Sequence, residues 1–259
     1  MPQRRVDTVL AMTTPQPRLE HIDENWTTAL AVVAHPDDLE FGAAAAIARW
    51  TAQGKQITYC MATSGEAGID GVAPEQTLLL REREQREAAA VVGVDEVCFL
   101  RHGDGVVEYG LALRRDIARV IRQARPTIVV TTNYSTTNGR GMVNQADHVA
   151  TGRAVIDAIR DAGNRWVFRE LLDEGLQPWT GVRAAFVAGS PDSAHGADVT
   201  DTFAQGIASL QAHRAYMAGL GAMGSRVETL LDAEAREVGK RLGATYATCF
   251  EVLSFGPPG

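Results

Sequence analysis

From residue 28 onward, short runs of branched apolar residues alternate with longer segments of helical period, and few folds accommodate that order. "ALAVVAH" (29–35) precedes "DLEFGAAAAIARWTAQG" (38–54), whose closing Gly54 suits a helix C-terminus. "QITYCMATS" (56–64) leads through the glycine-rich loop "GEAGIDGVAP" (65–74) into the helical "EQTLLLREREQREAAAVVGV" (75–94). "EVCFL" and the loop "RHGDGVVEYG" come before "LALRRDIARVIRQARP", and "TIVVTTN" (127–133) ends in a long polar loop, "YSTTNGRGMVNQ" (134–145). This pattern predicts an α/β fold: a Rossmann-like, mostly parallel sheet, right-handed crossovers, and helices on both faces. In such sheets ligands bind beyond the carboxyl ends of the strands, where the loops after "AVVA", "CMATS" and "VVTTN" gather.

The second half is less regular. "ADHVATGRAVIDAIRDAG" (146–163) is a helix and "RAAFVAG" (183–189) a strand, while "VTDTFAQGIASLQAHRAYMAGL" (199–220) and "RVETLLDAEAREVGKRLG" (226–243) are helical. With 259 residues and 45% hydrophobic content, the chain is expected to form one domain over 26–259, preceded by an irregular arm, 1–25. In that arm "VDTVLAM" (6–12) is too short and too interrupted for a signal-peptide core. No apolar run reaches the roughly 18 residues that span a bilayer. The three cysteines, Cys60, Cys98 and Cys249, are scattered in apolar stretches, as buried free thiols of a reducing compartment would be. A cytoplasmic protein is therefore expected. A net charge of -7, with both signs mixed along the chain, argues against nucleic acid or a membrane surface as partner and for a small molecule. A homo-oligomer is compatible with all of this.

One junction calls for chemistry. The apolar run of the first strand ends in His35, Pro36, Asp37 and Asp38, where a helix should begin. Either aspartate would serve as helix cap or as complement to the helix dipole. Neither role explains His35. An imidazole and a carboxylate at such a turn are two ligands for a cation such as Zn²⁺, and a neighbouring aspartate off the metal could take a proton from its water. A third ligand would come from the remaining histidines: His21, His102, His148, His195 or His213. His148 opens the helix after "TIVVTTN", at the same sheet edge as His35. Its neighbour Asp147 could cap that helix or accept a hydrogen bond from a metal-bound histidine.

"AVVAHPDDLEFGAAAAIA" (31–48) resembles the signature of the PIG-L/LmbE-like family of zinc-dependent N-acetylglucosaminyl deacetylases. "TSGEAG" (63–68), "LREREQREAAAVVGV" (80–94), "FLRHGDG" (99–105), "ADHVATG" (146–152) and "HGADVTDTF" (195–203) resemble later landmarks of that family, in order. The resemblance implies one zinc ion per chain held by His35, Asp38 and His148, with Asp37 as general base and Arg81 and Asp104 at the substrate. It implies removal of an N-acyl group, N-acetyl in the family, from an amino-sugar-containing small molecule. A sugar-cysteine amidase of the mycothiol type and a non-catalytic sugar- or metal-binding relative are the alternatives. One departure stands out. Where relatives carry His-Pro-Asp-His, this chain has Gln145-Ala146-Asp147-His148, and two residues earlier Val143 rather than a tyrosine. The acid and oxyanion roles thus lack a matching residue, with Tyr134, His195 or a loop residue as substitutes.

Two rival motifs are weaker. "GLGAMG" (219–224) satisfies a dinucleotide-binding pattern, but a helical stretch precedes it where a strand is required. Ser64 lacks the glycine-flanked elbow of a serine hydrolase.

Overall fold

The computed structural model of the chain describes residues 17–138 and 141–256. Its first part runs β1 (Glu20–His21), β2 (Thr28–Val33), α1 (Asp38–Gly42), α2 (Ala44–Ala52), β3 (Gln56–Met61), α3 (Pro74–Val91), β4 (Glu96–Phe99), α4 (Leu111–Ala124) and β5 (Ile128–Thr132). It continues with α5 (Ala146–Gly163), α6 (Glu170–Asp173), β6 (Ala184–Ala188), β7 (His195–Asp198), α7 (Phe203–Gln211), α8 (Arg214–Gly219), α9 (Gly224–Leu242) and β8 (Ala247–Ser254).

The strands form one eight-stranded sheet in the order β1-β7-β8-β6-β5-β2-β3-β4. Pairing is parallel from β6 to β4, and β8 runs antiparallel to both β6 and β7. The mostly parallel α/β class expected from the alternation is the one observed. Leu30, Ala31, Val32 and Val33 of β2 are all fully buried, and alternate residues feed two different cores. That is the mark of a strand covered on both faces. On one face α2 packs with Trp26, Trp50, Phe186 and Phe250; on the other α4 and α5 contribute Leu113, Ile117, Ile121, Val155 and Ile159.

The structure departs from the expected elements in several places, and β7 and β8 are not among those expected. The helix after β2 is broken at Ala43 into α1 and α2. The segment 199–220 likewise divides into α7 and α8. Of the expected irregular arm, 1–16 lies outside the described residues, and Glu20–His21 pairs in parallel with β7. Cys60 and Cys98, distant in sequence, stand opposite each other on β3 and β4; the three thiols are free, Cys60 buried and the other two partly so. Among the described residues no helix is long and apolar enough to cross a membrane.

The topology sets the location of any ligand. From β2 the chain moves outward through β3 and β4, then returns to lay β5 on the other side of β2. The loops after β2 and β5 therefore diverge from adjacent strands, and a crevice opens between them.

Candidate active site

That crevice is a cavity of about 650 Å³ whose walls include His35, Asp37, Asp38, Arg81, Asp104 and His148. All six site residues expected from the sequence thus face one space. Gln145, Asn133, Asn144 and Tyr216 also line it, whereas Tyr134 and His195 do not.

His35 is the centre of the cluster. Its Nε2 lies 3.0 Å from Asp104 Oδ1 and 3.2 Å from Asp147 Oδ2, and its Nδ1 lies 3.7 Å from Asp38 Oδ2. Asp38 Oδ2 also accepts the His35 backbone N–H at 2.9 Å, which curls the turn back on itself. The other Asp38 oxygen meets His148 Nε2 at 2.9 Å. His148 is oriented from behind, since its Nδ1 lies 3.1 Å from Asn144 Oδ1. Asn144 in turn staples the β5 loop by donating to the carbonyls of Asn133 and Ser135. His35, Asp38 and His148 each offer one donor atom, and these atoms lie within 4.8 Å of one another. Two imidazoles and one carboxylate converging on an open cavity fit a zinc ion with a position left for water.

His35, Asp104 and Asp147 form a second convergent set. Here the oxygens are already engaged. Asp147 accepts the backbone N–H groups of Gly105 at 2.7 Å and Val107 at 3.1 Å, and Asp104 Oδ2 accepts that of Ala67 at 2.8 Å. Asp147 and Asp104 therefore act on His35 as hydrogen-bond acceptors that keep the proton on Nε2 and turn Nδ1 toward Asp38. Asp147 does not cap α5. The N-cap is Gln145, with no side-chain cap bond.

Neither aspartate of the turn caps α1 through its side chain. Asp37 occupies the N-cap position of α1 with φ 97°, and its side chain makes no cap bond. For an L-residue this left-handed backbone is strained and needs outside support. α3 supplies it through residues one turn apart. Arg81 donates to the Pro36 carbonyl, and Gln85 Oε1 accepts the Asp37 N–H at 2.9 Å, so both polar ends of a single peptide plane are held. Arg81 Nη2 also pairs with Asp37 Oδ1 at 3.0 Å. Gly65 and Gly68 in the β3 loop make room for this arginine: a Cβ on Gly68 would come within 2.2 Å of its Nη1. Behind Gln85, Glu40 accepts from its Nε2 at 3.1 Å, and buried His213 lies 3.6 Å from Glu40.

Burial and neighbours separate the two aspartates electrostatically. Burial lifts the Asp37 carboxyl to a pKa of about 6, against the pull of Arg81. Burial also opposes charge on Asp38, but the hydrogen bond from His148 and the adjacent His35 ring outweigh it and hold Asp38 well below the usual carboxylate range. For His35 burial favours the neutral ring, yet the hydrogen bond to Asp104 and the nearby Asp38 carboxylate raise it to about 11. His148 is raised as well, burial being overcome by its hydrogen bond to Asp38. The two imidazoles of the donor set thus hold protons more tightly than free histidines while Asp38 is ionised, and a cation must compete with those ring protons. Its affinity rises with pH.

Residues 30–159 match the family model described as PIG-L, GlcNAc-PI de-N-acetylase. The chain belongs to this family. The PIG-L match takes in His35, Asp37, Asp38, Arg81, Asp104 and His148. A diacetylchitobiose deacetylase of Thermococcus kodakarensis is 32% identical over 152 residues, covering 58% of this chain and 55% of the relative. A 1D-myo-inositol 2-acetamido-2-deoxy-alpha-D-glucopyranoside deacetylase of Kineococcus radiotolerans is 30% identical over 219 residues, covering 69% of this chain and 60% of the relative. The chain thus spans between half and two thirds of the length of these relatives. Among solved structures, the N,N'-diacetylchitobiose deacetylase of Pyrococcus horikoshii superposes with a TM-score of 0.83 at 20% identity, over 90% of this chain and 85% of the other, and shares the fold.

The sequence reading missed Tyr216, Gln85 and Asn144. Asn144 lies just before the helix that carries His148, outside its regular turns, so no helical spacing pointed to it. Gln85 shares a face with Arg81 by the one-turn spacing within α3. Tyr216 reaches the cavity from the far end of the chain, and only the tertiary fold brings it there.

Proposed function

We propose that this protein is a zinc-dependent hydrolase that removes an N-acyl group, N-acetyl in the first instance, from an amino-sugar-containing small molecule. The observation that carries this reading is the convergence of His35, Asp38 and His148 on a cavity floor beside Asp37, a carboxylate that is not one of the three donors. His35 through Nδ1, Asp38, and His148 through Nε2 would hold one divalent ion per chain. When bound, such an ion supplies Lewis acidity toward the amide carbonyl and lowers the pKa of its water.

The chain's own groups supply the rest. Asp37, with a pKa of about 6, is mostly ionised at neutral pH and basic enough to take a proton from the attacking water. Returned to the amide nitrogen, that proton lets the amine leave as the C–N bond breaks, and the acyl group departs as a carboxylate. Arg81 keeps the Asp37 carboxylate in place and Asp104 lines the same cavity, where each would meet a sugar substituent. A volume of about 650 Å³ suits one or two pyranose rings.

The test is a panel of N-acetylglucosaminides, with one N-acyl sugar-cysteine conjugate, incubated with the zinc-loaded protein and scored for primary amine. Amine release from a glucosaminide is expected. Turnover of the cysteine conjugate alone would assign the mycothiol-type reaction, and no turnover with metal bound would make the chain a binding relative.

A further inference from the structure

Tyr216 lies on α8, a helix of six residues with no buried residue of its own. So short a helix does not hold its place by intrinsic propensity. Two side chains of α3 hold its first turn. Glu84, buried and one turn beyond Arg81, accepts the backbone N–H of Ala215 at 2.7 Å and that of Tyr216 at 3.4 Å. These are first-turn amides with no acceptor inside their own helix. The Arg81 guanidinium carbon sits 3.9 Å from the centre of the Tyr216 ring. The Tyr216 hydroxyl meets the Asp37 carboxylate, and both residues face the cavity.

We propose that Tyr216 is a positioning residue for the Asp37 carboxylate, and that Glu84 acts on the same carboxylate through Tyr216 by anchoring α8. The proposal rests on the amide-hydrolysis reading given above. A carboxylate restrained only at Oδ1, by Arg81, remains free to turn about its Cβ–Cγ bond. A second contact from the phenol fixes that rotation, so that a lone pair faces the cavity before substrate arrives. Such preorganisation lowers the barrier to proton transfer and leaves substrate affinity alone. Arg81 therefore serves twice: it pairs with Asp37 directly, and its planar face seats the ring that completes the restraint.

The experiment compares zinc-loaded parent, Tyr216→Phe, Glu84→Ala and the double variant on the best glucosaminide of the panel. Tyr216→Phe keeps the ring over Arg81 and removes only the hydroxyl. It should lower kcat on the order of tenfold, the effect of losing one hydrogen bond to a charged group, with KM within about twofold and zinc content unchanged. Glu84→Ala should lower kcat by a comparable factor, and the double variant no further. Multiplicative losses in the double variant, or a Tyr216→Phe effect confined to KM, would overturn the proposal. Hydrogen exchange over residues 214–220 gives a readout that needs no turnover. Asp37→Ala removes the hydroxyl's partner and should speed exchange there, as Glu84→Ala should. Unchanged exchange in Asp37→Ala would sink the proposal even if the parent were inactive, whereas an inactive parent with faster exchange would sink only the hydrolase reading.

Discussion

The two sides of the His35 ring make different use of the same ingredients. Both present two further donors at close range, Asp38 and His148 on one side and Asp104 and Asp147 on the other. On the Nε2 side three of the four carboxylate oxygens accept backbone N–H groups, and Asp147 is only 1% exposed. On the Nδ1 side Asp38 Oδ2 accepts the His35 N–H, Asp38 Oδ1 has only His148 Nε2 among the described residues, and both residues line the cavity. Proximity of histidine and carboxylate is thus not enough to define a cation site. The proposed site is the side where one carboxylate oxygen, Asp38 Oδ1, is not committed to the protein's own amides.

That contrast can be broken most directly at the ligands. His148→Ala or Asp38→Asn should reduce zinc in the purified protein from about one per chain to a small fraction and abolish amine release, because two protein ligands hold a catalytic zinc poorly. Excess zinc should restore part of the activity of Asp38→Asn. If either variant kept full metal by elemental analysis, the Nδ1 side would not be the site. Asp37→Asn comes next in size. It retains the side-chain shape beside Arg81 but cannot take a proton, so turnover should fall by a factor on the order of 10² to 10⁴ with metal retained. Loss of metal in that variant would exchange the roles of the two aspartates. The smallest effect sharpens the comparison from the other side. Asp147→Asn should weaken zinc affinity by about 10- to 100-fold in a chelator competition, as expected for an acceptor that orients a ligating histidine from behind. Complete metal loss there, with Asp38→Asn still loaded, would reverse the assignment of the two sides.

Much of the first half of the molecule was readable because its physics is local. Strands β2, β3, β5 and β6 are buried runs of branched and small apolar residues, and the helices between them carry a clear period. The junction after β2 stood out because His35, Asp37 and Asp38 crowd a point where capping needs one polar residue. Asp147 was legible as an acceptor for a ligating histidine, although its partner is His35, across the crevice, rather than the adjacent His148. What escaped depends on tertiary contact. β7 is four residues, "HGAD", with polar residues at both ends, and β8 carries Glu251 and Ser254 among its apolar residues; neither pattern is a clean alternation or an apolar run. The role of Tyr216 is set by Glu84 and Arg81, more than a hundred positions away, and no spacing rule encodes that. The break between α7 and α8 had no Pro or Gly to announce it.

The positions of His35 and His148 on the chain carry a consequence for folding. His35 directly follows β2 and His148 opens the helix after the β5 loop; β2 and β5 lie side by side, while β3, α3, β4 and α4 all intervene between them along the backbone. A cation shared by the two would close a loop that contains both outer strands of that edge, and closing a long loop in the unfolded chain is entropically costly. Binding therefore favours the native topology over any state in which β5 has not yet docked against β2. By mass action a ligand at a hundred times its dissociation constant adds about 2.7 kcal/mol to the resistance to unfolding. An ion bound for its chemistry would in that way also act as a clasp on the order in which the strands assemble.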